Sequence, residues 1–350
     1  MSNGPYKQAS SSRLLAIAAG CLAVLTGCSS DVPVIDSASS PILEAVLGAD
    51  AGAVRDLIAR GADVNAAEAD RTTLLMRAVH GGNAEITQAL IDAGADVAAV
   101  NRYGVHALYL AARAADAAAA HALLAAGADA NATLPEGETV LMTAAKAGST
   151  EVVRALLGPP ARYQSNASAA SSGYSAVVPA AVYPSRADPN GKETWHGQTA
   201  LMWAAAEGHS EIVRLLLEAG ANPNERSAPR AEPPLGGEAT ADGTAEPLLT
   251  QGRLTALHFA ARANEVESAR ALIEGGADVA AADQLGNTAL HFAAAHGSTA
   301  LIELLAESGA NVAAQNELGQ SALDIALATP GSAPNEAAAA LLQRLQRRGS

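Results

Sequence analysis

Cysteine is scarce in this chain: there are two, Cys21 and Cys28, both near the amino terminus. Past residue 28 no thiol occurs, which excludes disulfides, cysteine-based zinc sites and a thiol nucleophile from the body of the chain. Aromatic residues make up 3% of the 350 residues, too few for an ordinary globular core. Positive charge is outweighed, with 22 Lys and Arg against 36 Asp and Glu, a net charge of −14. Phosphate binding needs clustered Lys and Arg, so nucleic acid is not an expected partner, and the acidity reads as a solubility device. The sequence has no phosphate-cradling glycine loop, no H-E-x-x-H and no G-x-S-x-G. Its eight histidines are scattered, and the pair His291 and His296 need not share a helix face. Neither a catalytic group, a metal site, a cofactor nor a small-molecule substrate is expected.

What is abundant is alanine, and it is periodic. Alanine suits thin helices packed closely side by side, because it combines high helix propensity with little bulk. From Asp283 to Gln315 the sequence reads D-Q-L-G-N-T-A-L-H-F-A-A-A-H-G-S-T-A-L-I-E-L-L-A-E-S-G-A-N-V-A-A-Q, and most of the chain is this unit again. The residue that opens each first helix falls at Ser40, Thr73, His106, Thr139, Thr199, Thr255, Thr288 and Ser321. The steps are 33, 33, 33, 60, 56, 33 and 33 residues, so two insertions of 27 and 23 residues account for both long steps. A second marker, Gly-Ala-Asp/Asn, begins at Gly61, Gly94, Gly127, Gly220, Gly276 and Gly309, with a further copy expected near Ala187-Asp188. A fixed period of this length marks a stacked array, in which each unit contacts only its neighbours.

The unit resembles the ankyrin repeat over roughly residues 40–345, the insertions aside. The period and the T-x-L-x-x-A…G-A-D/N order carry the resemblance. The family's T-P-L-H proline stands only at Pro41, and its histidine only at His258 and His291, with Met76, Met142 and Met202 elsewhere. The resemblance implies an all-α solenoid of about eight stacked helix-turn-helix repeats with short β-turn finger loops. Their expected bounds are 40–67, 68–100, 101–133, 134–160, 187–224, 251–282, 283–315 and 316–345.

Within each repeat the local signals agree. Ser40-Pro41 is a helix-opening pair, with an oxygen cap and Pro in the first turn. The Gly of Gly-Ala-Asp supplies the left-handed turn that ends each second helix. Ile86, Ala89 and Leu90 form a stripe facing the next repeat. Asp63, Asp96 and Asp129 read as turn residues bonding nearby backbone N–H groups. His258 and His291 read as structural hydrogen-bonding groups. Gln343, Arg344, Gln346, Arg347 and Arg348 give the last helix the wet face expected of a terminal cap. The insertions, 161–186 and 225–250, flank repeat five. The first holds Tyr163, Tyr174 and Tyr183 and reads either as a disordered loop or as a partner-contacting one. The second, rich in Pro, Gly, Glu and Ala, reads as flexible and acidic.

Residues 1–27 read as a targeting segment: Lys7 and Arg13 precede an apolar run, Leu14 to Leu25, too short to span a bilayer. Leu25-Thr26-Gly27-Cys28 resembles the bacterial lipobox. That resemblance implies cleavage between Gly27 and Cys28 and lipid attachment at Cys28; an ordinary secretory signal is the competing reading. Removing 1–27 deletes Lys7 and Arg13 and no acid, which moves the charge from −14 to −16. Ser29 after the cysteine favours the outer membrane, by resemblance to lipoprotein sorting. Residues 28–39 read as a flexible tether.

The expected function is therefore noncovalent binding of another envelope protein by a lipid-anchored stack facing the periplasm, with an inhibitor or immunity role as the alternative. Ankyrin stacks bind partners through a concave face of finger tips and first helices. By position, the candidate contacts are Arg102, Tyr103, Trp195, His196, Gln284, Leu285 and Glu317 in the fingers, joined by Asp70, Glu136 and Leu318. Arg113, Lys146, Glu207, Arg262 and His296 follow at the ends of first helices. Trp195 leads, since Tyr, Trp and Arg most often anchor interfaces; packing against the first insertion is its competing role.

Overall fold

A computed structural model describes residues 40–158, 186–229, 252–328 and 333–349. Cys28, Gly27, the tether and most of both insertions fall outside the described residues. Among the described residues sixteen α-helices follow in pairs. The first members are α1 Pro41–Leu47, α3 Leu74–His80, α5 Ala107–Arg113, α7 Val140–Lys146, α9 Ala200–Ala206, α11 Ala256–Ala263, α13 Ala289–Ala295 and α15 Ala322–Ala328. The second members are α2 Ala51–Ala59, α4 Ala84–Asp92, α6 Ala117–Ala125, α8 Thr150–Leu157, α10 Ser210–Glu218, α12 Val266–Glu274, α14 Thr299–Glu307 and α16 Ala333–Gly349. Each first helix packs on the next first helix, and each second on the next second, giving two parallel rows in one linear stack. The fold is all-α, as the repeat pattern implies.

Helices this short are marginal alone, so packing and caps must hold them. The Thr73, Thr139 and Thr199 hydroxyls accept the backbone N–H of Met76, Met142 and Met202 at 3.2–3.4 Å. Asp50, Asn83, Asp116 and Ser149 cap second helices in the same way. His106 substitutes for Thr with its ring: Nδ1 accepts the Tyr109 N–H at 3.2 Å. Ser40 makes no side-chain cap bond, so α1 opens on Pro41 alone. The first helices carry the densest core, for instance Leu141, Met142, Ala144 and Ala145 in α7, all fully enclosed. Buried apolar side chains run as one cluster from Ile42 to Leu342, the length of the stack.

Where the motif histidines stand they join neighbouring repeats. Nδ1 of His258 accepts the Thr255 N–H at 3.0 Å, which leaves Nε2 as the donor to the Asn287 carbonyl at 3.2 Å. His291 repeats this with Thr288 and the Gln320 carbonyl. The Met142 sulfur accepts the Thr139 N–H at 3.5 Å, closing the same local loop without a group that reaches the next repeat. Burial drives the His258 pKa down to about 4, and it lowers those of His291 and His106.

Candidate functional site

Between consecutive helix pairs the chain projects as a finger, and an antiparallel bridge closes the base of five of them, Ala67↔Thr73, Thr133↔Thr139, Lys192↔Thr199, Ala282↔Thr288 and Gln315↔Ser321. Backbone hydrogen bonds then tie finger to finger. The N–H of Arg102 reaches the Asp70 carbonyl, Thr194 reaches Glu136, Ala228 reaches His196, Gln284 reaches Gly252 and Glu317 reaches Leu285, at 2.6–3.1 Å. One rung is absent because its residue is Pro135, which has no N–H. Pro135 instead packs so closely on Gly104 that a Cβ there would lie 2.6 Å from its Cδ. The row of fingers is thus a nearly continuous ladder, and its exposed side chains hold fixed spacings.

A polar residue at each finger base fixes the tip. Oδ1 of Asn101 accepts the N–H groups of Tyr103 and Val105. Asp283 and Asn316 serve Leu285 with Asn287, and Leu318 with Gln320, in the same manner. In repeat five the tip is one residue longer, Thr194-Trp195-His196-Gly197, and a longer side chain holds it. The buried Glu193 carboxylate accepts the N–H groups of Trp195, His196 and Gln198 at 2.6–3.0 Å. Burial alone would raise the Glu193 pKa, but those three N–H bonds and His196 outweigh it, and the pKa is lowered.

On this frame Trp195 is 74% exposed, Leu318 74% and Tyr103 63%. The Arg102 guanidinium lies 5.8 Å from the centre of the Tyr103 ring. His196 is exposed, its Nδ1 3.8 Å from Glu193. Gln284 and Leu285 are half-buried, and Leu285 joins the exposed Glu317 through the backbone ladder. Arg113, Glu207 and His296 are exposed at the ends of α5, α9 and α13. No hydrogen bond or ion pair among the described residues links those three to the other candidates. The finger residues are therefore drawn together, and the helix-end residues are spaced along the row.

One cleft lies between the helix-end row and the fingers. It has a volume of about 160 Å³ and is lined by Lys146, Gln198, Met202, Trp203, Ala206, Glu207, Phe259 and Arg262. Lys146 Nζ stands 4.8 Å from the Trp203 ring centre, and the Arg262 guanidinium 5.0 Å from that of Phe259. Trp203 and Phe259 are not among the positions the sequence alone nominates, because an aromatic at helical spacing reads as core. The usable signal was place in the repeat: both sit four residues after the helix-opening Thr, as Leu110 and Thr143 do after His106 and Thr139.

The insertions leave the stack at different places. Chain runs out at Gly158, after α8, and returns at Arg186 beside the second-helix ends. The second interruption lies in a finger. Residues 225–229, which composition groups with the insertion, pair instead with the far strand of that finger: Ser227 N–H bonds the Leu254 carbonyl, and Arg253 N–H the Ala228 carbonyl. Among the described residues no group of three or more His, Cys, Asp or Glu side chains is arranged to hold a metal ion, and no helix is long and apolar enough to cross a membrane.

A linear stack of helix pairs whose fingers form one hydrogen-bonded row defines a repeat scaffold, a class that presents an extended face. The chain belongs to the ankyrin repeat family: the family model of ankyrin repeats in three copies matches residues 42–133, 114–227, 238–316 and 257–344. Among solved structures it is similar to the ankyrin repeat domain of Bcl-3, a member of the IkappaB protein family, with 21% identity and a TM-score of 0.51 over 87% of this chain and 98% of that one. The human ASB11 ankyrin repeat domain shows 23% identity and a TM-score of 0.46 over 87% and 98%. At these identities the likeness concerns the fold alone. No curated protein matches the chain. Ankyrin repeats as a family mediate protein–protein interaction.

Proposed function

We propose that this is an exported ankyrin protein, anchored by lipid on Cys28 in the bacterial cell envelope, that binds another envelope protein noncovalently through its finger row and first helices. Its place is the outer membrane, facing the periplasm. The observation that supports the binding face best is Trp195: a large aromatic, 74% exposed, on a finger tip whose backbone is locked by a buried carboxylate. A tip so held loses little backbone freedom on binding. The role is one of contact rather than reaction, without cofactor, small-molecule substrate or nucleic acid.

The lipid anchor and the binding face are tested separately. Cys28→Ser releases the protein from membranes into the soluble fraction; retention in the membrane argues against the anchor. Affinity purification of the lipidated protein from its own membranes recovers a protein partner that Trp195→Ala loses while remaining folded. If the partner is an enzyme or toxin that loses activity in the complex, the role is inhibition.

A further inference from the structure

The cleft beside the finger row is unusual in its charges. Arg113, Lys146, Ala206 and Arg262 hold the same place in successive repeats, the last turn of α5, α7 and α9 and the equivalent position in α11. The chain has 36 acidic residues to 22 basic ones, so a cation here has carboxylates in ample supply. Elsewhere they are used: Arg77 pairs with Glu68, Arg154 with Glu211 and Arg344 with Glu303. In the cleft they are not. Neither Lys146 nor Arg262 forms an ion pair among the described residues, and each faces an aromatic ring instead. Glu207 is the one carboxylate in the lining, and it is exposed and unpaired with either cation.

Arg262 is half-buried, and burial lowers its pKa with no charged neighbour acting against the loss. A guanidinium carries five N–H donors in a fixed fork that matches a carboxylate, and partial burial removes some of the water that would satisfy them. Lys146 adds three donors. The Trp203 indole N–H is buried behind the ring and is not offered to the cleft. The wall is thus rich in donors and poor in acceptors. A ring under each cation holds it in place without neutralising it. The group that complements such a wall is an anion with paired oxygens.

We propose that the cleft between α9 and α11 receives a side-chain carboxylate from an acidic segment of the protein partner, held between Lys146 and Arg262. The inference rests on the concave-face reading above and deepens it by naming the partner's chemistry. The chain's net charge of −14 works against any acidic ligand at long range. The preference must therefore come from these short contacts, within a Debye length of roughly 8–10 Å.

The test is calorimetric titration of the full chain with a capped peptide of four consecutive glutamates, its glutamine counterpart and its lysine counterpart. The glutamate peptide binds, and the other two bind at least about tenfold more weakly. Lys146→Ala with Arg262→Ala removes the difference at an unchanged thermal midpoint. Because a loss can also come from misfolding, the decisive variant is a gain: Lys146→Glu with Arg262→Glu transfers the preference to the lysine peptide. No glutamate-peptide binding at about 1 mM, equal affinity for the glutamine peptide, tighter binding of inorganic phosphate, or an unmoved preference in the charge-reversed variant each overturns the proposal. Any of these leaves capture of a partner through Trp195 intact, so the two readings fail separately.

Discussion

Asn131 clasps Asp188 across the first insertion. Its side-chain oxygen accepts the Asp188 backbone N–H at 2.7 Å, and its side-chain amide donates to the Arg186 carbonyl at 2.7 Å. Asn224 does the same over the second insertion, to Asp278 N–H and the Gly276 carbonyl. Asn65 and Asn190 join the loops of adjacent repeats in this way. Ala98 and Ala280 hold the corresponding places and have no such group. Both joints interrupted by an insertion thus carry a side-chain clasp, and so do two of the four uninterrupted joints between described repeats.

These clasps set the first prediction. Asn131→Ala or Asn224→Ala removes two hydrogen bonds in a partly solvated setting and destabilises by about 1–2 kcal/mol. Ala98→Asn supplies the missing clasp toward Gly127 and Asp129 and stabilises by about 0.5–1 kcal/mol. Urea midpoints check both. Equal effects of Asn→Ala at the clasps and at an exposed position outside them would remove the idea.

The second concerns pH. His258 has a folded-state pKa of about 4 against an ordinary 6.5, so the unfolded chain takes up its proton first as pH falls. Its contribution is complete above pH 6.5 and is lost as pH falls from 6.5 to about 4, the loss reaching about 3 kcal/mol at the bottom of that window. His291 and His106, shifted the same way by burial, add to the slope. His258→Met, the residue used in sister repeats, flattens this part of the stability profile relative to the parent. Parallel profiles from pH 7.5 to 4.5 contradict it.

Glycine substitutions separate two sources of strain. Gly94 and Gly104 both have positive φ, +87° and +74°, but a Cβ on Gly94 meets nothing within 4 Å while one on Gly104 collides with Pro135. Gly94→Ala costs about 1 kcal/mol from backbone strain alone. Gly104→Ala costs at least about 1 kcal/mol more, since the ring must shift. Matched thermal melts of the two variants decide; equal costs show that the finger–finger contact is soft.

A fourth prediction links the finger base to its tip. Glu193→Ala leaves the N–H groups of Trp195, His196 and Gln198 without their acceptor and lets the tip move. Partner capture falls at least about tenfold, comparably to Trp195→Ala, although Glu193 is only 7% exposed and its carboxylate already turned inward. Hydrogen exchange speeds up at residues 194–198. Unchanged capture with faster exchange means that tip rigidity is irrelevant.

The architecture was legible because the repeat carries its own punctuation. Thr73, Thr139 and Thr199 cap as oxygen side chains before an apolar helix should, and the left-handed Gly94 and Gly220 end second helices where the marker says. The exposed Trp195 and Tyr103 were legible for the same reason, since a position in the repeat is a position in space. The Asn clasps were not: Asn131 in a turn reads as a turn residue, and its partner lies 57 residues on, across an insertion. Trp203 was missed because an aromatic in a short helix suggests burial, whereas it is half-buried at a place, four residues after Thr199, that only the repeat register marks. Residues 225–229 share the insertion's composition, and their place in a finger depends on Leu254 and His196, which no local signal indicates.

Site-specific photocrosslinking in the native envelope tests the central claim most directly. A photoreactive residue at Tyr103 or Trp195, on the finger tips, is expected to give the same covalent adduct with one protein partner, while one at Arg214, exposed on the outer face of α10, gives none. Adducts from Arg214 with none from Tyr103 and Trp195 would contradict the account.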